Sequence, residues 1–294
     1  MASLKDIRGR IGSVRNIAQI TRAMEMVAAS RMKRAQDAIL AARPYSDELR
    51  DVLSRVAAAV DEGVDPLLAR RSVKRIGLLV ITTDRGLVGS LNANAIRSVL
   101  RYVTSHSKGE AGEQVEIEAI TIGRKGRDTL RSAGLPVAAH FAALGDRPTF
   151  AAVTPIARLL VDDFLAGRYD EIAIAYSTFV STLTQRAEIL SVLPVERPSM
   201  DEATTRTNDE YLFEPSPAAV LSRLLPHYVA ISIYRAVLEN NASEQSSQMI
   251  AMRNATDNAN ELIEDLTLVY NKTRQANITR EMIEIASGAE ALAG

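Results

Sequence analysis

Residues 4–60 of this chain read LKDIRGRIGSVRNIAQITRAMEMVAASRMKRAQDAILAARPYSDELRDVLSRVAAAV. Alternating steps of three and four residues from the first Leu select seventeen positions, of which fourteen are apolar. These positions are Leu4, Ile7, Ile11, Val14, Ala18, Thr21, Glu25, Ala28, Met32, Ala35, Ile39, Ala42, Ser46, Leu49, Leu53, Val56 and Val60. Such a stripe is far longer than the ~10 to 14 residues of an average globular helix. It predicts one long helix with a coiled-coil seam.

Prolines and a glycine are expected to shape and end this helix. Pro44 should kink it, because proline lacks a backbone donor and crowds the preceding turn. Gly63 and Pro66 are expected to close it. The predicted N-terminal coiled-coil segment is therefore residues 1–66.

The C-terminal third predicts a second long helix. Residues 227 to 287 contain no Gly and no Pro, where one interior Pro would destabilise a helix by ~3 kcal/mol. The same stepping selects Met252, Ala255, Ala259, Leu262, Leu266, Val269, Thr273, Ala276, Arg280 and Ile283. The alanines would let a partner helix approach closely. Two long helices at opposite ends of one chain most simply pair as an antiparallel coiled coil, which can transmit position or torque.

Between these helices the hydrophobic period changes to that of an α/β domain. Runs rich in β-branched residues predict strands at 74–83, 115–122, 171–180 and 186–195, and helical patterns fall at 92–103, 124–131 and 155–165. Alternating strands and helices predict a mostly parallel, Rossmann-like sheet covered by helices. The predicted fold class is α/β: a long antiparallel coiled coil of N- and C-terminal helices with an inserted Rossmann-like domain. The predicted division is 1–66, 72–198 and 210–288.

Composition excludes several classes of function. There are 35 Lys and Arg against 36 Asp and Glu, so the net charge of -1 gives no overall attraction to nucleic acid or lipid. Cysteine is absent, which excludes disulfides, thiolate metal sites and thiol nucleophiles. No window approaches the ~18 to 20 apolar residues that span a bilayer, so we expect membrane attachment only through another protein. The N-terminus lacks the apolar core of a secretion signal.

The loop at residues 83–92 (TDRGLVGSLN) is the strongest candidate for nucleotide chemistry. It follows a predicted strand and precedes a predicted helix, where phosphates bind in nucleotide folds. However, neither the dinucleotide glycine spacing nor a GxxxxGK[ST] loop occurs. We interpret it as a tight turn in which Asp84 or Ser90 bonds to helix-start amides. Residues 123–126 (GRKG) are interpreted as a turn with a basic edge.

No other motif predicts chemistry. His106, His140 and His227 lie far apart, and none has a metal-ligand spacing. We therefore predict no catalytic residue, no cofactor and no metal. Residues 1–43 carry nine Lys or Arg and three acidic residues, a net +6 that is either a partner surface or a solvated face. No aromatic residue before Tyr45 could stack on bases, so an acidic protein fits better than nucleic acid.

Four blocks of the chain are informative together: residues 20–30 (ITRAMEMVAAS), 83–92, 239–245 (ENNASEQ) and 268–276 (LVYNKTRQA). In sequence and in order they resemble the gamma subunit of F-type ATP synthases. The resemblance implies a non-catalytic central rotor stalk that couples proton flow through the membrane c-ring to ATP synthesis or hydrolysis. Its partners would be three alpha and three beta subunits, the epsilon subunit and the c-ring. It would be a peripheral protein on the cytoplasmic face of the bacterial cell membrane.

The resemblance also implies two groups of contact residues. Met24, Arg274, Gln275 and Thr279 would contact the beta subunit, and Tyr211, Phe213 and Glu214 would contact epsilon and the c-ring. Two other hypotheses remain: a nucleotide-binding enzyme with helical extensions, which would bind ATP or a dinucleotide, and a coiled-coil nucleic-acid adaptor, whose binding would weaken steeply with salt.

Overall fold

The computed structural model describes residues 3–60, 64–107, 114–196 and 213–293. Five helices and five strands follow one another in these ranges. They are α1 (Leu4–Ala58), β1 (Arg75–Ile81), α2 (Leu91–His106), β2 (Glu116–Ile122), α3 (Arg124–Ser132), β3 (Val137–Phe141), α4 (Phe150–Leu165), β4 (Glu171–Phe179), β5 (Gln185–Leu193) and α5 (Pro217–Ala293). None of the helices in these ranges is long and apolar enough to cross a bilayer.

Helix α1 begins with a capping box and continues through Pro44. The Asp6 amide donates to the Ser3 hydroxyl at 3.2 Å, and the Ser3 amide donates to the Asp6 carboxylate at 3.1 Å. The helix ends at Ala58, earlier than the predicted end at Gly63 and Pro66. Pro66 instead begins a single 3-10 turn, whose N-cap is Asp65. Its carboxylate accepts a 2.9 Å hydrogen bond from the Leu67 amide.

The sheet has the strand order β3-β2-β1-β4-β5. Strands β1, β2, β3 and β4 are parallel to their neighbours, and only β5 pairs antiparallel, with β4. This confirms the predicted mostly parallel sheet, but strand β3 was missed. Its sequence, VAAHF, contains two alanines, and its side chains are only partly buried at the sheet edge. It therefore lacks the apolar run that revealed the other strands.

Side chains alternate along β1 into two cores, one on each face of the sheet. Leu79 and Ile81 point to a core shared with α1, α4 and α5. Leu78 and Val80 point to a second core shared with α2 and α3. Because both faces are covered, β1 is an uninterrupted apolar run, as is usual in buried parallel strands.

The chain forms two compact units. One contains the described residues up to Ala28 and from Met249 onward, and the other contains Ala29–Gln248. The first unit consists of the N-terminal part of α1 and the C-terminal part of α5. The second unit contains the remainder of both helices and the whole sheet.

Candidate functional site

The seam predicted on α1 is confirmed residue by residue. None of the seventeen stripe positions is exposed, and Ala28, Leu53 and Val56 are almost fully buried. Several apolar residues of α1 outside the stripe are instead at least half exposed. They are Ile17, Ile20, Met26, Val27 and Leu40. Helix α1 therefore has a buried seam and, outside it, several separate exposed apolar side chains.

Within the second unit, α1 and α5 run antiparallel. The Tyr45 hydroxyl lies 2.7 Å from His227 Nε2. Arg31 lies fourteen residues before Tyr45 on α1. It interacts electrostatically with Glu244, which lies seventeen residues after His227 on α5. Residue numbers thus fall along one helix as they rise along the other. This is the antiparallel pairing that the sequence predicted.

In the first unit the stripe predicted on α5 is confirmed at Met252, Ala255, Ala259, Leu266 and Thr273 and is wrong at the other predicted positions. The least exposed positions toward its C-terminal end are Met252, Thr256, Ala259, Ile263, Leu266, Tyr270, Thr273 and Asn277. Leu262 and Val269, predicted to be buried, are each 46% exposed, and Ala276, Arg280 and Ile283 are exposed as well. The prediction was wrong there because apolar residues are adjacent at 262–263 and 269–270. Either phase of the three-and-four stepping therefore finds an apolar stripe.

A buried pair of hydroxyl groups joins the two helices of the first unit. Thr21 Oγ1 lies 2.7 Å from Thr256 Oγ1, and both side chains are more than 90% buried. Thr256 Oγ1 also donates to the Met252 carbonyl at 2.9 Å, and Thr21 Oγ1 lies 3.1 Å from the Ile17 and Ala18 carbonyls. Both hydroxyls are therefore satisfied without water. A polar pair within an apolar seam specifies register, because any slip separates it.

The residues predicted to contact the beta subunit lie at two levels of the first unit. Met24 is half-buried on α1, while Arg274, Gln275 and Thr279 are exposed on α5. Since Thr21 faces Thr256, Met24 lies near the level of residue 253, which is 21 residues before Arg274. At ~1.5 Å per residue this is about 30 Å along the helix. The four residues thus form two separate surfaces.

Of the predicted foot residues, two are described by the structure, both in the second unit. The Phe213 ring packs against the core shared by α1, α4 and α5. Glu214 follows it and is exposed. Tyr211 lies outside the described residues.

The loop at residues 83–92 is closed by its own hydrogen bonds and by bonds to the start of α3. The Asp84 carboxylate accepts from the Arg124 amide at 2.9 Å, the Thr83 carbonyl from the Lys125 amide at 3.1 Å, and the Thr82 hydroxyl from the Gly126 amide at 2.9 Å. The first-turn amides of α3 are thus already paired and do not offer a phosphate site. Asp84 does bond to a helix-start amide, although on α3. Ser90 makes no side-chain cap bond to α2.

A polar cavity of about 370 Å³ lies where β1 and β2 end, within the second unit. Charged groups from α1, α5 and two loops line it: Arg31, Asp84, Arg85, Asp146 and Glu244. Arg31 and Asp146 form a 2.9 Å salt bridge. Burial, followed by the nearby carboxylates of Asp146 and Asp84, raises the pKa of the Glu244 carboxyl to about 7, and Arg31 and Arg85 partly oppose this rise. Three acidic side chains face two arginines there, so the cavity has no net positive charge to attract a phosphate. Among the described residues there is also no cluster of His, Cys, Asp and Glu suited to a metal.

A buried polar contact connects α5 with the β4–β5 hairpin. We call it the polar joint; its members are Asn240, Ser243, Ser246 and Ser247 of α5 and Ser177, Thr182 and Gln185 of the hairpin. Ser243 donates to the Ser177 carbonyl at 2.9 Å, and the Ser177 amide donates to Asn240 Oδ1 at 3.3 Å. Ser246 donates to the Thr182 carbonyl at 2.6 Å, and Ser247 to Gln185 Oε1 at 3.0 Å. Gln185 Nε2 closes the set with a 3.3 Å bond to Ser246 Oγ.

Comparison with known proteins assigns this architecture to a family. A family model described as ATP synthase matches residues 3–292. The ATP synthase gamma chain of Dehalococcoides mccartyi is 49% identical over 298 residues, which covers 100% of both chains. This chain belongs to the ATP synthase gamma-chain family. The gamma chains of Chloroflexus aurantiacus and Roseiflexus castenholzii are 49% and 50% identical over 296 and 295 residues, at least 99% of each chain.

Solved structures share the fold of this gamma-chain family member. A chain of the central stalk and c-ring structure of Tetrahymena thermophila mitochondrial ATP synthase has a TM-score of 0.61 and 26% identity, covering 80% of this chain and 99% of its own. A chain of the Euglena gracilis mitochondrial ATP synthase structure with OSCP, F1 and c-ring has a TM-score of 0.66. It covers 98% of this chain and 94% of its own at 17% identity, which supports the fold alone.

Sequence reasoning used the gamma-chain block at 239–245 only as a family signature and missed its role in the polar joint. A signal was present, because residues 239–248 (ENNASEQSSQ) are polar at nine of ten positions, on all sides of a helix. A solvated helix usually carries Lys, Arg and Glu at most such positions, and this block instead consists largely of Asn, Ser and Gln. Short uncharged polar side chains on every face are suited to a buried, hydrogen-bonded helix.

Proposed function

We propose that this chain is the rotating central stalk of an F-type ATP synthase and forms no catalytic site itself. In this role it couples proton flow through the membrane c-ring to ATP synthesis or hydrolysis at a ring of three alpha and three beta subunits. The observation that carries the proposal is the full-length match to gamma chains, together with an α1 stripe in which every position is buried or half-buried. A rotor needs such a seam, since burying each Leu or Ile contributes roughly 1.5 to 3 kcal/mol.

The exposed apolar side chains of the first unit are suited to rotation inside a ring of other subunits. Helix α5 is exposed at every position from 278 to 289, including Ile278, Met282, Ile283 and Ile285. Because apolar side chains make no directional bonds, they can move past the surrounding subunits. A stalk with different side chains on its different sides would bias each of three like partners toward a different nucleotide affinity.

We place the coupling contacts at the residues given by the family resemblance. Met24, Arg274, Gln275 and Thr279 contact the beta subunits, and Tyr211, Phe213 and Glu214 contact epsilon and the c-ring. The exposure of Arg274, Gln275 and Thr279 supports the first group, because a partner can reach them. Exposed Glu214 supports the second. In this proposal residues 1–66, 72–198 and 210–288 act as helix, α/β domain and helix, and the protein is peripheral on the cytoplasmic face of the bacterial cell membrane.

Single-molecule rotation tests the proposal directly. The chain contains no cysteine, so Arg131→Cys at an exposed position of α3 introduces one labelling site. A rod attached there, on a complex immobilised through its beta subunits, should rotate in one direction when ATP is added. Continued ATP hydrolysis without rotation of the rod would reject the rotor role. ATP hydrolysis by the isolated chain would reject its non-catalytic status.

A further inference from the structure

Helix α5 contacts the α/β domain through two chemically different surfaces. From Leu221 to Val237 the contact is apolar, and Leu221, Leu225, Val229 and Ile233 are fully buried in the core. From Asn240 to Ser247 it becomes the polar joint. Ser243 and Ser246 are also completely buried, yet they bond to the β4–β5 hairpin rather than pack against apolar side chains.

The two surfaces resist a twisting load differently. Burial of apolar area is non-directional, so a helix can rotate slightly against an apolar surface and keep most of its stabilisation. Hydrogen bonds tolerate only a narrow range of distance and angle. Buried groups that lose their partners destabilise the structure by about 1 to 3 kcal/mol each. The polar joint therefore fixes both the rotation and the axial position of α5 against the hairpin.

The spacing of the joint makes this fixation collective. Asn240, Ser243 and Ser247 lie three and four residues apart and share one face of α5. Asn240 and Ser243 bond to the amide and carbonyl of the same residue, Ser177, and Ser246 and Ser247 both bond with Gln185. A rotation of α5 by the ~100° between successive helical residues would separate all of these pairs at once.

We propose that the polar joint is the torque-bearing connection between the α/β domain and α5, with Ser243 and Ser246 as its main positioning residues. This inference rests on the proposed rotor function. Torque applied to the α/β domain passes through the hairpin into α5, which continues without a break into the first unit. The apolar contact from Leu221 to Val237 holds the helix on the domain, and the joint sets its angle.

The test uses the complete ATP synthase reconstituted in vesicles, carrying Ser243→Ala with Ser246→Ala. Two quantities are measured: ATP hydrolysis without a proton gradient, and protons pumped per ATP against an opposing gradient. Unloaded hydrolysis should stay within about twofold of wild type. Protons pumped per ATP against the gradient should fall by at least about threefold, because all three hydrogen bonds of the two serine hydroxyls are lost. Ser232→Ala is the matched control, since its hydroxyl bonds only within α5, to the Tyr228 carbonyl at 2.9 Å.

Each outcome separates the alternatives. Protons pumped per ATP at the wild-type level under load would overturn the inference, as would an equal loss in the Ser232→Ala control. A parallel loss of unloaded hydrolysis and pumping would assign the joint a merely structural role and also overturn it. If the double variant fails to assemble, Ser247→Ala gives the same readout with one bond removed, and unchanged pumping there counts against the joint. Absence of rotation by the wild-type complex would instead reject the rotor role itself.

Discussion

The two ends of α5 differ in what they bury. In the second unit, from Leu221 to Ser247, the helix is buried on most sides, first by apolar core and then by the polar joint. In the first unit it buries a single stripe facing α1 and leaves Leu262, Leu268 and Val269 about half exposed. One end is built as a fixed attachment, whereas the other presents side chains outward. In the proposed function, the part of α5 in the second unit is held by the α/β domain, and the part in the first unit contacts the beta subunits.

The largest loss of stability is expected in the second unit, where α5 packs into the core. Leu225 is fully buried in the core shared by α1, α4 and α5, so Leu225→Ala should lower the free energy of unfolding by about 2 to 5 kcal/mol. Urea denaturation of the full chain measures this loss. Leu262→Ala is the matched control: its side chain is 46% exposed, and it should change stability by less than about 1 kcal/mol. Equal losses at the two positions would contradict the division of α5.

The Glu244→Gln variant tests the difference between the two ends of α5 through the pH dependence of folding stability. The pKa of Glu244 is raised from 4.5 to about 7 in the folded chain, by burial and by Asp146 and Asp84, against Arg31 and Arg85. Between these two pH values the unfolded chain releases the proton first, so wild-type stability falls as pH rises toward 7. The loss of stability caused by ionising the buried Glu244 carboxyl is complete above pH 7 and absent below about pH 4.5. The difference between the two pKa values corresponds to at most about 3 kcal/mol.

Glutamine does not titrate, so the variant should be more stable than wild type at pH 8 and equal to it near pH 4.5. Urea denaturation at both pH values tests this. Glu264→Gln, an exposed carboxylate on the outward end of α5, should show no such pH-dependent gain. A gain that is the same at both pH values would show that the carboxyl charge is not its cause.

The fold was predicted from sequence wherever the hydrophobic pattern allowed a single secondary-structure assignment. The run at 74–83 (KRIGLLVITT) could only be a buried strand, and α1 had one continuous stripe with exposed neighbours. Strand β3 was missed because VAAHF is short and half-exposed. The phase of α5 was missed because Leu262 with Ile263, and Val269 with Tyr270, offer two apolar stripes of similar quality. Contacts between α1 and α5, such as that between Thr21 and Thr256, distinguish the two stripes, and a contact over 235 residues leaves no local signal.

The candidate site was less predictable than the fold. Hydrogen bonds of the polar joint depend on which backbone carbonyls of the hairpin face α5, and side-chain periodicity does not contain that information. The bonds from Asp84 and Thr82 to the start of α3 likewise join residues about 40 positions apart. Sequence correctly treated residues 83–92 as a turn, but it could not identify the helix that the turn caps.

A smaller effect is expected from the threonine pair in the seam. Thr21→Val or Thr256→Val replaces a hydroxyl by a methyl of similar size and removes the 2.7 Å bond between α1 and α5. Each single variant should lower the free energy of unfolding by about 1 kcal/mol. The double variant should cost less than the sum, because both partners are then apolar. A double-mutant cycle by urea denaturation measures this coupling, and strictly additive losses would mean that the two hydroxyls do not act as a pair.

The smallest effect on folding is expected at the outward end of α5. Arg274 and Gln275 are exposed, so Arg274→Ala with Gln275→Ala should change the stability of the full chain by no more than about 0.5 kcal/mol. In the reconstituted complex the same pair should slow ATP hydrolysis by about tenfold or more, because the proposed contact with the beta subunit includes charge-assisted bonds, and such bonds are worth about 1.5 to 3 kcal/mol. Lys272→Ala is the control for the loss of an exposed cation, since Lys272 lies about 160° from Arg274 around the helix. Wild-type turnover in the Arg274 and Gln275 variant, or an equal loss with Lys272→Ala, would mean that this end of the helix slides past its partners without a specific contact.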